Sequence, residues 1–367
     1  MPRWRVVAVQ IMPLLLSLVV AITLACVIAL LLGVSPLTLG RIISERFSSY
    51  TWGQVLFQTT FLTFTGLAVA MAFSVGLFNI GAEGQAVVGS FACALVGIIG
   101  SPLPGWLLLP LSILAAFVGG AIWGFIPGWL RARFGTHEVI NTIMLNFIAL
   151  AGINFLMTRY FALPETVRTA KVGASLSRLS DFVPGLHGSA ANLSLVLALL
   201  AVVAAHFFLH HTPLGFSMRA VGRGRRQAEC ARISSGKRLI IAFAIAGGIA
   251  GLVGTNFVLG YKHYYEDGFS GGIGFLGIAV ALIARNEPLA IFPAAFLFGF
   301  LSQAGLVVNT HLPREVVDLL TGVLLLVFIA TDRFRLRYLK NVRISAVLSS
   351  FAKQRARLSV GEKEGSS

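Results

Sequence analysis

The chain has 367 residues, 56% hydrophobic and only 12% charged, with a mean hydropathy of +0.85. Soluble domains carry about 25% charged residues, so the composition excludes a soluble globular protein and indicates an integral membrane protein. The formal net charge of +15 would suggest nucleic acid in a soluble chain, but the excess lies mostly in a central loop and the C-terminal tail. Retention of basic loops on the cytoplasmic side accounts for it with no nucleic-acid partner. Cys26, Cys93 and Cys230 have no spacing that suggests a disulfide or a metal site.

In chain order, a basic start leads into a first apolar span from Val6 to about Val34. It is too long for a secretory signal and no small-residue cleavage site follows, so it reads as a retained helix with its N-terminus cytoplasmic. Ser35 to Gly53 is polar and suits a short helix on the outer surface. The second span runs from Gln54 to Val75, and Gly76-Leu77-Phe78-Asn79 interrupts it. Next comes Phe78-Asn79-Ile80-Gly81-Ala82-Glu83-Gly84-Gln85. An Asp at a span centre costs about 2.5–3.5 kcal/mol on insertion scales, so an acid and two amides here require an explanation. Either the helix breaks at its glycines and frees groups to bind something, or the segment is a cytoplasmic turn with Glu83 in water. On the first reading, Asn79, Glu83 and Gln85 are translocation-pathway candidates.

The third span covers Ala86 to Ile99 and the fourth Leu107 to Leu130. Gly120, Gly124 and Gly128 clear one face of the fourth for close packing against another helix. Gly135 to Asn146 opens the fifth span, with Thr136 as its cap and Glu138 suited to the first-turn dipole. Asn141 and Asn146 lie deeper, where an amide must find a partner, and join the pathway candidates. After Tyr160 the chain stays polar to about Ala191, an outer loop long enough to face a partner. Asn192-Leu193-Ser194 is a formal glycosylation sequon that borders a span. The sixth span, Leu193 to His211, carries His206 and His210 one helical turn apart. Two such histidines could bind zinc, but no Glu follows His206 and no third ligand is near in sequence. They read as interfacial histidines, and no metal site is assigned.

Thr212 to Arg238 is a basic island between apolar blocks, with seven Lys and Arg and the single acid Glu229. Its middle, Ser217 to Ile233, suits a short helix across the cytoplasmic face. It serves either to fix topology or to be gripped by a soluble partner. The seventh span is Leu239 to Gly260. Gly272-Ile273-Gly274-Phe275-Leu276-Gly277 matches a dinucleotide fingerprint, but the motif needs a preceding strand in a soluble unit, and here it opens an eighth span, Ile273 to Ala284. Leu289 to Val308 and Val316 to Ala330 bring the count to about ten transmembrane helices. Arg333, Arg335, Arg337, Lys340 and Arg343 then return the C-terminus to the cytoplasm. The expected organisation is a transmembrane domain over 1–340, which holds the basic loop over 212–238, and a basic, polar cytoplasmic tail over 341–367.

Four strings carry a resemblance: Phe78 to Gln85, His137 to Asn146, Thr212 to Arg238 and Gly271 to Leu289. Together they make the chain similar to ABC-importer permeases of the branched-chain amino acid, sugar and nucleoside group, closest to the nucleoside type, from Leu67 to about Gly322. Gly224 and Arg232 depart from the Asn and Gly more usual there. The resemblance implies the all-α fold of that permease group in a bacterial cytoplasmic (inner) membrane, with 1–340 as the transmembrane permease domain and 212–238 as its coupling loop. It implies as partners an ABC ATPase subunit, a second permease subunit, an extracytoplasmic substrate-binding lipoprotein and membrane lipid. The central loop would dock on the ATPase through Gly215, Arg219, Ala220, Gly222 and Glu229. No catalytic residues emerge, and no Gly-x-x-x-x-Gly-Lys phosphate loop is present, so ATP and magnesium would belong to the partner and this chain needs no cofactor. The small-molecule cargo reads as a nucleoside, with a ribose-like monosaccharide as the alternative. A secondary transporter would need titratable groups deep in the spans, whereas Glu83, Glu138 and Glu287 all map near the inner side.

Overall fold

Proline, glycine and short polar strings divide the apolar sequence into helices. The computed structural model describes residues 3–309, 315–316 and 318–332, with only the backbone over 3–14. Twelve α-helices are named within them: α1 (Arg3–Leu31), α2 (Pro36–Arg46), α3 (Ser49–Phe73), α4 (Ala82–Ile99), α5 (Gly105–Phe134), α6 (Glu138–Leu156), α7 (Ser194–His211), α8 (Pro213–Arg223), α9 (Arg225–Cys230), α10 (Ser235–Gly251), α11 (Ile273–Ile283) and α12 (Pro288–Val308). Wider π-helical turns follow α6 at Met157–Phe161 and α10 at Thr255–Lys262. No strand is named among the described residues. The loop after α6 is held by isolated bridges such as Ala162 with Thr169 and Arg178 with Asn192.

The chain divides into two compact units, Pro36–Val317 and a terminal unit of Met1–Ser35 with Asp318–Ser367. In the terminal unit α1 is helical where the first span is expected, and residues 318–332 are helical with Leu324 and Phe328 buried. The basic return at Arg333 to Arg343 and the tail over 341–367 lie outside the described residues. Among the described residues seven helices are long and apolar enough to cross a membrane, or eight if Leu15–Leu31 and Pro36–Arg46 form one broken span.

Within the larger unit, burial separates an inner bundle from a shell. The apolar windows of α3 and of Ser235–Lys262 are 83% and 78% buried, whereas those of α5 and α6 are each 22% buried. The shell helix α5 approaches the inner helix α10 closely because their contacts are made by backbone. A Cβ on Gly120 or Gly124 of α5 would overlap the α10 carbonyls of Gly247 or Phe243, and one on Gly251 of α10 would overlap the Ala116 carbonyl of α5. The glycine spacing seen in sequence is therefore a helix-packing face. Similarly, a Cβ on Gly277 of α11 would lie 2.5 Å from the Thr65 hydroxyl of α3.

Two local expectations change. Thr136 does not cap α6: the cap position is His137, with no side-chain bond, and the Thr136 hydroxyl accepts from Asn141 Nδ2 at 2.5 Å. Glu138 stands in the first turn of α6, as expected, and also pairs with Arg131 at 3.4 Å, beside the left-handed Gly135 that ends α5. The central loop is not one helix over 217–233. It starts earlier, because Thr212 accepts from Gly215 N–H and Pro213 occupies the first turn, and it breaks at Gly224 into α8 and α9.

The α5–α10 contact yields a test. Gly124→Leu should reduce folded protein recovered from membranes, because overpacking of this kind costs about 1–3 kcal/mol or more. Gly152→Ala in α6, where nothing lies within 4 Å of an added Cβ, should leave yield and thermal midpoint unchanged in detergent.

Candidate functional site

Between α3 and α4 the helix breaks over 74–81. Gly76, at φ +75°, turns the chain in the left-handed region that other residues rarely adopt. The freed backbone would be costly in an apolar interior, and three amide side chains serve it. Asn79 Nδ2 donates to Gln85 Oε1 at 2.9 Å, Gln85 Nε2 donates back to Asn79 Oδ1, and Asn79 Oδ1 also accepts from Gly81 N–H at 3.0 Å. From α6, Asn146 Oδ1 accepts from Gly84 N–H and its Nδ2 donates to the Ile80 carbonyl, both at 2.9 Å. Asn79, Gln85 and Asn146 are 0%, 1% and 3% exposed. The joint is thus a broken helix inside the protein, with its amides engaged in holding it.

Glu83 is 3% exposed, so it is not a wet turn residue. Its carboxylate closes on the start of α11: Oε1 accepts from Gly272 N–H at 3.0 Å and Oε2 from Gly274 N–H at 2.6 Å. A helix N-terminus presents unsatisfied N–H groups and a partial positive charge, and here a side chain from α4 supplies the anion. The glycines follow from this geometry. Gly272 sits at φ +88°, and a Cβ on Gly274 would overlap the Glu83 backbone. The apparent dinucleotide fingerprint is an anion-binding helix start with a carboxylate in the phosphate's place.

The basic loop touches this joint. A Cβ on Gly222 would overlap the Ser74 carbonyl and come within 3.1 Å of Gly76 N, so the end of α8 rests directly on the break. Gly215 packs equally tightly on the Phe208 and Leu209 backbone of α7. Met218 and Val221 are buried on the inner face of α8, while Phe216 is 61% exposed on the other. Arg223, Arg226, Arg232 and Lys237 are exposed around it. Arg219 and Ala220 are half-buried, and the exposed Glu229 accepts from the Ser235 hydroxyl at 2.5 Å. Phe216 was not singled out in the sequence; an exposed aromatic among cations on an otherwise anchored helix is what marks it.

Asn79, Glu83, Gln85 and Asn146 therefore come together with Gly222 beside them, while Asn141 faces Thr136 elsewhere on α6. A second polar knot lies at the π-helix. Asn256 Nδ2 donates to the Phe57 carbonyl, and its Oδ1 accepts from Asn192 Nδ2 at 2.9 Å and the Ser194 hydroxyl at 2.8 Å. The sequon residues Asn192 and Ser194 are 1% and 0% exposed, which excludes glycosylation in the folded chain. Around this knot Phe57, Phe61, Phe257 and Tyr261 meet edge-on or tilted, and Phe257 stacks on Phe269 at 4.6 Å between ring centres.

A bundle of long apolar helices with a break between α3 and α4, a short α11 and a basic helix pair α8–α9 is consistent with a membrane permease. The profile of the branched-chain amino acid transport system permease component family matches residues 52–329, and the chain belongs to that family. It is 38% identical to the guanosine ABC transporter permease protein NupP of Bacillus subtilis, over 77% of this chain and 82% of that protein. It is 35% identical to the nucleoside ABC transporter permease protein NupB of Lactococcus lactis, over 85% and 88%. It is 32% identical to the glucose ABC transporter permease protein TsgB13 of Haloferax volcanii, over 88% of each chain. The chain is a multi-pass transport subunit of the bacterial cytoplasmic membrane, not an enzyme.

Replacement of Glu83 by Gln keeps the shape but leaves one glycine N–H without an acceptor. Hydrogen bonds to charged groups contribute about 1.5–3 kcal/mol, so E83Q should lower the thermal midpoint of the purified protein. An unchanged midpoint would show that the α11 cap is not structural.

Proposed function

We propose that the chain is the permease subunit of an ATP-driven nucleoside importer, in which a partner ATPase drives the α3–α4 joint through α8. The observation that carries this reading is the seat of Gly222 on Ser74 and Gly76. It joins an exposed, cationic helix to the half-exposed start of the break, two residues or more before its buried amides, without an intervening side chain to absorb movement. The partner ATPase would hold ATP and magnesium and grip Phe216 with Arg219, Ala220 and Glu229; Gly215 and Gly222 would anchor α8 to the bundle. A second permease subunit and an extracytoplasmic binding lipoprotein would complete the assembly. On the reading of about ten spans with both termini cytoplasmic, α8 and α9 would face the ATPase side, and the cationic charge of the loop supports that orientation.

For the cargo, the guanosine and nucleoside names of NupP and NupB favour a nucleoside. The structure adds chemistry suited to one. A nucleoside is neutral, with a flat base and a hydroxylated sugar, and the half-buried rings of Phe57 and Tyr261, which meet edge-on, are aromatic surface that a base could reach, whereas Phe61, Phe257, Asn192 and Asn256 are buried behind them. Asn79, Glu83, Gln85 and Asn146 act by shaping the gate that opens to the cargo, and Asn141 lies on the same helix as Asn146. TsgB13 keeps a monosaccharide as the second reading.

In cells expressing the whole transporter, labelled guanosine uptake should be competed by other nucleosides and little by excess ribose or glucose. It should stop when the partner ATPase loses its phosphate-loop lysine. Equal competition by the sugars would select the second reading and leave the permease assignment standing. Gly222→Leu should leave the chain in the membrane and abolish uptake; normal uptake would contradict the role given to α8. An impermeant thiol reagent applied to intact cells should not reach Cys230, which is exposed at the end of α9; labelling there would invert the topology.

A further inference from the structure

Sequence spacing leaves His206 and His210 without a third ligand; the fold supplies one from 81 residues away. Glu287 is the cap residue of α12, placed by the turn in which Arg285 and Asn286 both adopt left-handed backbone. Its Oε1 lies 3.1 Å from His206 Nδ1 and 3.2 Å from His210 Nε2. All three ligand atoms lie within 4.8 Å of one another. In a tetrahedral site with bonds of about 2.0–2.1 Å, ligand atoms stand roughly 3.3–3.4 Å apart, so two edges of such a site are already formed.

We propose that His206, His210 and Glu287 form a binding site for a zinc-class divalent cation. Two imidazoles and one carboxylate match the donor preference of zinc and its late first-row neighbours, whereas magnesium and calcium favour all-oxygen sets. The two histidines are separated by one turn on α7, so a single helix face presents both nitrogens. The side chains are 30%, 32% and 46% exposed, which leaves water to complete the coordination. His211 lies nearby, with its ring 5.9 Å from that of His206, but it stacks on Phe207 instead.

The place of the cluster gives the site a consequence. His210 is two residues before Thr212, the cap of α8, and Glu287 begins α12. A bound ion would tie the foot of the helix that leads into α8 to the start of α12, and so stiffen the base from which α8 acts. The binding claim itself stands apart from the transport reading, because it is tested by metal binding alone.

The test uses the full-length chain, purified in nanodiscs with a histidine-free tag and stripped with chelator. Titration with cobalt should produce the strong visible bands of a four- or five-coordinate ion, saturating at one ion per chain and erased by zinc. His206→Ala, His210→Ala and Glu287→Gln should each weaken binding at least tenfold, and His211→Ala should leave it unchanged. Zinc should also raise the thermal midpoint of the wild-type chain, since a ligand that binds only the folded state stabilises it, and should not raise that of E287Q. Absence of cobalt bands in the wild-type chain would overturn the proposal, as would equal binding by the His206→Ala and His210→Ala variants.

Discussion

The bond on which the larger unit depends is the one between the Glu83 carboxylate and the first amides of α11. At 11 residues and 1.5 Å rise per residue, α11 extends roughly 16 Å, about half the thickness of the hydrocarbon core. Its start is half-buried at Gly272 and buried at Ile273 and Gly274, so its first amides need acceptors from the protein. Glu83 meets them with both oxygens, and the helix start in turn gives a buried acid its partners. Neither group is tolerable in that place alone. The arrangement also dictates its neighbours: Gly274 has no room for a side chain, and Gly277 none against Thr65.

From this clamp the structure extends in two directions. Through Gly84 and Ile80 it meets Asn146, which binds α6 to the break by one accepted and one donated bond. Through the break itself it reaches Gly222, where α8 sits on Ser74 and Gly76. The break thus has one face on a buried polar lock and another on the surface helix. Bistable packed joints respond to displacement by switching rather than by bending continuously. On the proposed coupling, a push on α8 would be felt first at Ser74 and Gly76, and next at the turn held by Asn79 and Gln85.

Much of this was legible in the sequence, for reasons that differ by residue. Glycines 120, 124 and 128 announced a packing face because small residues at four-residue spacing have few other uses in an apolar helix. The amides at 79, 85 and 146 stood out because lipid makes unpaired polar groups costly. Their partners were not legible, since Asn146 is 62 residues from Gly84 and Gly272 is 189 from Glu83. The same limit hid Glu287 from His206. Thr136 was misread because a capping residue and its neighbour look alike in a string, and His137 took the cap position. The break at Gly224 was missed because the surrounding residues favour helix. Among the described residues seven or eight helices are long and apolar enough to cross, and α11, expected as a span, has only 11 residues.

The central claim is that Glu83 and the start of α11 form one cooperative element. Amide hydrogen exchange on the protein in nanodiscs measures this directly, since exchange reports local opening. The amides of Gly272 and Gly274 and those of Gly81 and Gly84 should be strongly protected in the wild-type chain. In Glu83→Ala, protection should fall together in both segments while the α5–α10 contact stays protected. Unchanged protection at Gly272 and Gly274 in that variant would contradict the account.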